Sequence, residues 1–243
     1  MTIAANQTVG KIAASTPSAT REFEKHGVDY CCGGGRTLAQ ACAQSDVSVD
    51  DVIARIEQSA LAQPAVDRDW DTTPLSGLIA HINNTHHAFV RSECPRIEAL
   101  AAKVAKVHAR NHPELNEVRA EFSSLAEELR IHLMKEEQIL FPYVMRMEES
   151  VLAEEPAPPA MFGTVANPIR MMMQEHDSAG EALRKIREIT SDYKIPEDAC
   201  ISYRILFQAL PDFEADLHQH IHLENNILFP RASAMESASS LRK

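Results

Sequence analysis

The chain repeats a segment of itself, and that repeat limits its fold more than any other feature. His132-Leu-Met-Lys-Glu136-Glu-Gln-Ile-Leu-Phe141-Pro142 aligns with His220-Ile-His-Leu-Glu224-Asn-Asn-Ile-Leu-Phe229-Pro230, identical at six of eleven positions. The residue four before each His is acidic, Glu128 in one copy and Asp216 in the other. Each copy also has a histidine far upstream: His87 precedes His132 by 45 residues, and His176 precedes His220 by 44. A lone His-x-x-x-Glu carries little weight, since about one chance match is expected among so many histidines. Two copies in matching context, each with an upstream His at matching distance, do not arise that way.

On a helix, residues i and i+4 stand one above the other. Each copy can therefore turn an imidazole and a carboxylate to one side at one level. His87 and His176 would each add one imidazole from two further helices. His87, His132, Glu136, His176, His220 and Glu224 are thus the expected ligands of a two-metal site, with Glu136 and Glu224 shared between the metals. Imidazole and carboxylate donors with open positions suit iron or manganese better than a closed, sulfur-rich zinc site.

The surrounding pattern is helical. Thr73-Pro74 opens a stretch whose Leu75, Ile79, Ile82, His86 and Phe89 share a face, and further helical stretches cover about 115–147, 167–190 and 198–235. No strand alternation occurs, so the fold class is all-α: a four-helix bundle at 72–236 after a small helical domain at 1–66. The polar segment 63–69 serves as the linker, the Pro-rich run 156–159 interrupts the bundle, and the Ser-rich tail after Arg231 is expected to fray. In the small domain, Thr16-Pro17 starts a helix that Gly27 ends, and Ser48 starts another with Asp50 and Asp51 in its first turn. A segment this short is expected to have little core of its own.

Helical phase and repeat spacing disagree on the first helix. The apolar stripe centres on His86, with His87 about 100° away, whereas the spacing of 45 against 44 favours His87. His87 is taken as the ligand and His86 as its neighbour. Glu128, Glu175, Asp177 and Asp216 are the candidates for orienting ligand imidazoles through their second nitrogen. His218 and His222 point away from the site, His108 and His112 lie beside a loop, His81 is off the stripe and His26 sits at a helix end.

The formal net charge is −11, without a Lys/Arg cluster able to follow a phosphate backbone, which argues against nucleic-acid binding. No apolar run approaches membrane-spanning length and no signal-peptide pattern is present, so a cytoplasmic location is expected. Of five cysteines, Cys42, Cys94 and Cys200 are read as packing residues. Cys31 and Cys32 are adjacent within Asp29-Tyr30-Cys31-Cys32-Gly33-Gly34-Gly35; a bridge between neighbours is strained, and the glycines are expected to leave both sulfurs accessible for redox exchange or soft-metal contact.

The repeat resembles the hemerythrin-like bundle, and together with the Tyr30-Cys31-Cys32-Gly33-Gly34 run the chain resembles the repair-of-iron-centres family over nearly its whole length. That resemblance implies a centre of two non-haem iron ions that helps to restore damaged iron–sulfur proteins, with the six residues above as ligands. It also implies nitric oxide or dioxygen as small ligands and a working role for Cys31 and Cys32. Iron donation, nitric oxide binding or reduction, and oxygen or iron sensing stay open at this point, as do monomer or homodimer and the docking of the small domain.

Overall fold

The computed structural model describes residues 3–16, 18–62, 70–156 and 158–240. Pro17, the linker 63–69 and the last three residues lie outside them. The chain is helical and has no named strand among the described residues, as the pattern predicts; a single bridge joins Thr8 and Thr37. Among the described residues no helix is long and apolar enough to cross a membrane.

Four short helices come first: α1 (Val9–Ser15), α2 (Ser18–Lys25), α3 (Leu38–Gln44) and α4 (Val49–Ala62). Gly27, at φ +62°, ends α2 in the left-handed conformation while Val28 N–H reaches back to the Phe23 carbonyl at 2.9 Å, a closure that favours glycine. Thr37 and Gln40 cap α3 reciprocally. Ser48 Oγ accepts from Asp51 N–H at 3.3 Å at the start of α4. Contrary to the expectation of little core, Val9, Ile12, Phe23, Tyr30, Leu38, Val52 and Ile56 are buried together. Four short amphipathic helices can close around one another where one or two could not.

The bundle follows in four long segments. α5 (Leu75–Ile82) continues through a π turn (Asn83–His87) into α6 (Ala88–His108). α7 (Glu114–Lys135) continues through a π turn (Glu136–Leu140) into α8 (Phe141–Leu152). α9 (Ala166–Ile189) stands alone, and α10 (Ile201–Leu223) continues through a π turn (Glu224–Leu228) into α11 (Phe229–Ser240).

By contacts the chain falls into two compact units, 1–80 with 143–166 and 218–243, and 81–142 with 167–217. The second unit encloses an apolar core from four helices. Val90, Cys94, Ile97 and Ala101 of α6, Val118, Phe122, Leu125 and Leu129 of α7, Ala179, Leu183 and Ile186 of α9, and Leu206, Leu210 and Phe213 of α10 recur every three or four residues and are buried. Phe122 meets Phe213 edge to face at 5.2 Å. In the first unit, Glu148 of α8 accepts from the N–H groups of Leu75 and Ser76 at 2.6 and 2.9 Å, satisfying donors that a helix start leaves open.

Up to Ser240 the tail is helical rather than frayed. α11 runs to Ser240, with Ala232 buried and Glu236 accepting from Val165 N–H at 2.9 Å and Tyr143 O–H at 3.2 Å. Ser237 faces outward while Ala232 and Ser239 are covered, a division that composition alone does not show. Cys200 is exposed rather than packed, whereas Cys42 and Cys94 are buried.

Candidate metal centre

All three π turns fall at proposed ligands. His87 closes the first, Glu136 opens the second and Glu224 opens the third. In the two copies of the repeat the defining i→i+5 bond is the same: Phe141 N–H to the Glu136 carbonyl, and Phe229 N–H to the Glu224 carbonyl. Pro142 and Pro230 follow immediately, and a proline has no N–H to continue an α ladder. The shared Glu-x-x-Ile-Leu-Phe-Pro thus places a widened turn at each carboxylate.

The first π turn bears on the disagreement over helical phase. Leu75, Ile79 and Ile82 are buried ahead of it and Val90, Cys94, Ile97 and Ala101 beyond it; within the turn both His86 and His87 are buried, His87 completely. The inserted residue advances the face by about 100°, so His87 takes the place that a regular helix assigns to His86. His87 is fully buried. His86 turns to Asp216, Nδ1 to Oδ1 at 3.0 Å, with the His81 ring edge-on at 5.6 Å.

Within the second unit, four candidate ligands come together. His87 Nε2 and His132 Nε2 each lie 3.4 Å from Glu136 Oε2. His176 Nε2 is 3.0 Å from His132 Nε2, and donor atoms of His132, Glu136 and His176 lie within 4.8 Å of one another. The outer nitrogens are held by acids. His87 Nδ1 donates to Glu137 Oε1 at 2.7 Å, and Glu137 also takes Arg91 at 2.5 Å. His132 Nδ1 donates to Glu175 Oε2 at 2.8 Å, and Lys135 pairs with the same carboxylate. Since a carboxylate can only accept, each Nδ1 carries a proton, and each Nε2 is directed toward Glu136.

The electrostatics of the supporting acids follow. The His132 hydrogen bond holds Glu175 down at about 2 against the opposing effect of burial, with Lys135 adding to it. At Glu137 burial pushes upward, but the bonds from Arg91 and His87 outweigh it and hold the group below the usual carboxylate range.

A cation fits this arrangement. Both oxygens of Glu136 are buried without a hydrogen-bond partner, while the Nε2 atoms of His87 and His132 converge beside them. A buried carboxylate without hydrogen bonds is costly in a dry interior, and a shared cation removes that cost.

In the first unit, His220 Nε2 stands 3.0 Å from Glu224 Oε1, the i,i+4 pair expected from the repeat, and both are fully buried. His218 and His222, two residues to either side, meet the N-terminal helices instead. His218 Nδ1 binds Glu24 Oε1 at 2.8 Å, and that oxygen also accepts from Tyr30 O–H at 3.0 Å. The His222 ring lies 5.5 Å from the Tyr30 ring, and burial pushes His222 down to about 4, keeping it neutral.

The small domain is therefore docked, with its cysteine loop against the 218–226 segment. Cys31 is only 5% exposed and Cys32 partly so, which corrects the expectation that both sulfurs are open. The glycines bring the loop backbone close to the helix, and closeness covers the first sulfur. Its hydrogen bond with Cys32, together with burial, holds the Cys31 thiol well above its ordinary range. Neither cysteine is in a disulfide among the described residues.

Of the four acids proposed to orient ligands, Glu175 does so, Asp216 binds His86, Glu128 is exposed beside Ser124, and Asp177 is exposed. Glu137 was missed. It follows Glu136 directly, a position that a regular helix would turn about 100° aside. Replacing Glu137 or Glu175 by Ala is expected to weaken metal affinity by about 10- to 100-fold while the helical circular dichroism stays unchanged; competition with a chelator reads it.

Comparison with known proteins agrees with these observations. Residues 78–232 match the hemerythrin HHE cation-binding domain, and residues 5–60 match ScdA_N, a domain of unknown function. The chain is 37% identical over 228 residues to a protein of Yersinia pseudotuberculosis serotype IB (strain PB1/+) named iron–sulfur cluster repair protein YtfE, covering 93% of this chain and 96% of the relative. Identically named proteins of Yersinia pestis (strain Pestoides F) and Pectobacterium atrosepticum are 37% identical over 228 and 227 residues, with the same coverage. With the ligand repeat, the docked cysteine loop and near full-length similarity all present, the chain belongs to the YtfE family of hemerythrin-domain proteins.

Proposed function

We propose that this protein repairs damaged iron–sulfur clusters in other proteins by donating iron from a two-iron centre held by His87, His132, Glu136, His176, His220 and Glu224. The observation that carries the reading is the buried Glu136 carboxylate, without a hydrogen-bond partner and faced by the Nε2 atoms of His87 and His132. The names of the relatives and the cation-binding family support it. When bound, ferrous iron would supply the metal that a damaged cluster has lost. The chain's own part is to hold it without sulfur: imidazole and carboxylate donors bind ferrous iron less tenaciously than thiolates hold a cluster. Glu137 and Glu175 place a proton on Nδ1 and hold the imidazoles correctly turned, and the apolar bundle excludes water. In this reading residues 1–66 form a separate accessory domain whose Cys31 and Cys32 act at the transfer.

The test is isotopic. Protein loaded anaerobically with two iron-57 ions per chain is mixed with a [4Fe–4S] enzyme damaged by nitric oxide, and the repaired enzyme is re-isolated. Iron-57 in the restored cluster is expected; restoration without the label, or no restoration, would sink iron donation. A Cys31→Ser, Cys32→Ser double variant is expected to keep its iron and to restore the enzyme more slowly. Restoration at the parental rate would make the thiols bystanders.

A further inference from the structure

Asn226 is the third residue of the π turn that Glu224 opens. Its side chain enters the N-terminal helices: Nδ2 donates to the carbonyls of Tyr30 at 3.3 Å and Cys31 at 3.1 Å, and lies 3.2 Å from His222 Nδ1. Gly10 and Gly34 close over the same side chain, Gly10 N–H donating to the Gly34 carbonyl at 2.9 Å. A methyl group at either glycine would overlap Asn226. Neither glycine has a positive φ, so space rather than backbone freedom requires them. Gly10 even lies inside α1, where glycine costs about 1 kcal/mol against alanine.

The repeat sharpens the point. Asn226 corresponds to Gln138, and Asn225 to Glu137, which turns His87 in the first copy. The two copies share their ligand positions and differ at these two. The pocket for Asn226 therefore belongs to the docking of the cysteine loop and not to ligation as such.

We propose that Asn226 positions the Cys31–Cys32 loop and couples its docking to metal retention, because one π turn carries both Asn226 and Glu224. The inference rests on the reading of Glu224 as a metal ligand. A filled centre holds Glu224, and with it the turn and the seat of the loop. An emptied centre frees the first residue of the turn, the seat loosens and Cys31 is uncovered. Coupling of this kind is reciprocal, so undocking the loop also hastens metal loss.

Labelling of Cys31 by iodoacetamide, located by peptide mass spectrometry, reads docking in the full-length protein. Chelator-driven iron release reads retention. Ferrous protein is expected to label at Cys31 on the order of tenfold more slowly than metal-free protein. Asn226→Asp keeps the shape but replaces the donor by an oxygen. Gly34→Ala acts from the loop and leaves the bundle sequence intact. Both are expected to label at the metal-free rate even when loaded, and to release iron faster by a similar factor. Buried Cys94 reports any general unfolding; if Gly34→Ala exposes it, Asn226→Asp decides. Equal Cys31 labelling of loaded and metal-free parent, or fast labelling of the variants with parental iron release, would overturn the coupling. A parent that takes up no iron would instead remove the metal centre, and the coupling with it. Labelling of the variants against that parent would still decide the docking role of Asn226, parental rates overturning it.

Discussion

Replacing Glu136 with Leu is expected to make the metal-free protein more stable while ending its capacity to hold a metal pair. The Glu136 side chain is fully buried, and neither oxygen has a hydrogen-bond partner. Removing such a charge and filling its space with an apolar side chain is worth about 1–4 kcal/mol when the packing is kept. In a chain of this size that amounts to a rise of several degrees in melting temperature, since about 1 kcal/mol moves a domain of 150–250 residues by roughly 2–4 °C. Thermal melts of chelator-treated parent and variant measure the first half; iron bound per chain measures the second. The signs are opposed, which separates a binding carboxylate from a structural one. A Leu variant less stable than the metal-free parent would show that Glu136 supports the fold itself. A stable variant with full iron would remove Glu136 from the centre.

The second large effect concerns neighbouring histidines. His87→Ala is expected to lower metal content to one iron or less per chain, because it removes a fully buried imidazole 3.4 Å from Glu136 and leaves Glu137 and Arg91 with nothing to orient. His86→Ala is expected to keep both metals, since its partners are Asp216 and His81. Loss of a ligand should exceed the 10- to 100-fold typical of an orienting residue. The reverse pattern, with His86→Ala empty and His87→Ala full, would mean that the helix keeps α phase through Asn83–His87. Iron analysis after anaerobic loading is sufficient to decide.

How far the sequence carries depends on whether the information is periodic. Leu75, Ile79 and Ile82 announced their helix correctly, as did Gly27 its helix end and Ser48 the start of α4. The duplicated His-x-x-x-Glu identified the candidate ligands, and comparing the copies favoured His87 over the nearer match to the stripe. The stripe pointed to His86 because it was extended through a turn of different pitch. Nothing in Asn83-Asn84-Thr85-His86-His87 marks a π turn, whose widened bonding is chosen by what packs around it. Glu137 escaped for the same reason, as its reach to His87 depends on a second π turn and crosses 50 residues of chain. Cys31 was expected to be accessible because glycines suggest an open loop. Here they serve close approach, leaving room for Asn226.

The sequence by itself determined the all-helical class and which side chains are candidates for binding a metal. These follow from local propensities and from a repeat that can be seen without a fold. Tertiary structure decided which histidine turns inward, which acids hold the imidazoles and whether the cysteine loop is covered. Each of those depends on a phase shift of about 100° or on a contact between distant residues. Their energies arise only once the helices pack, so no local stretch of chain carries them.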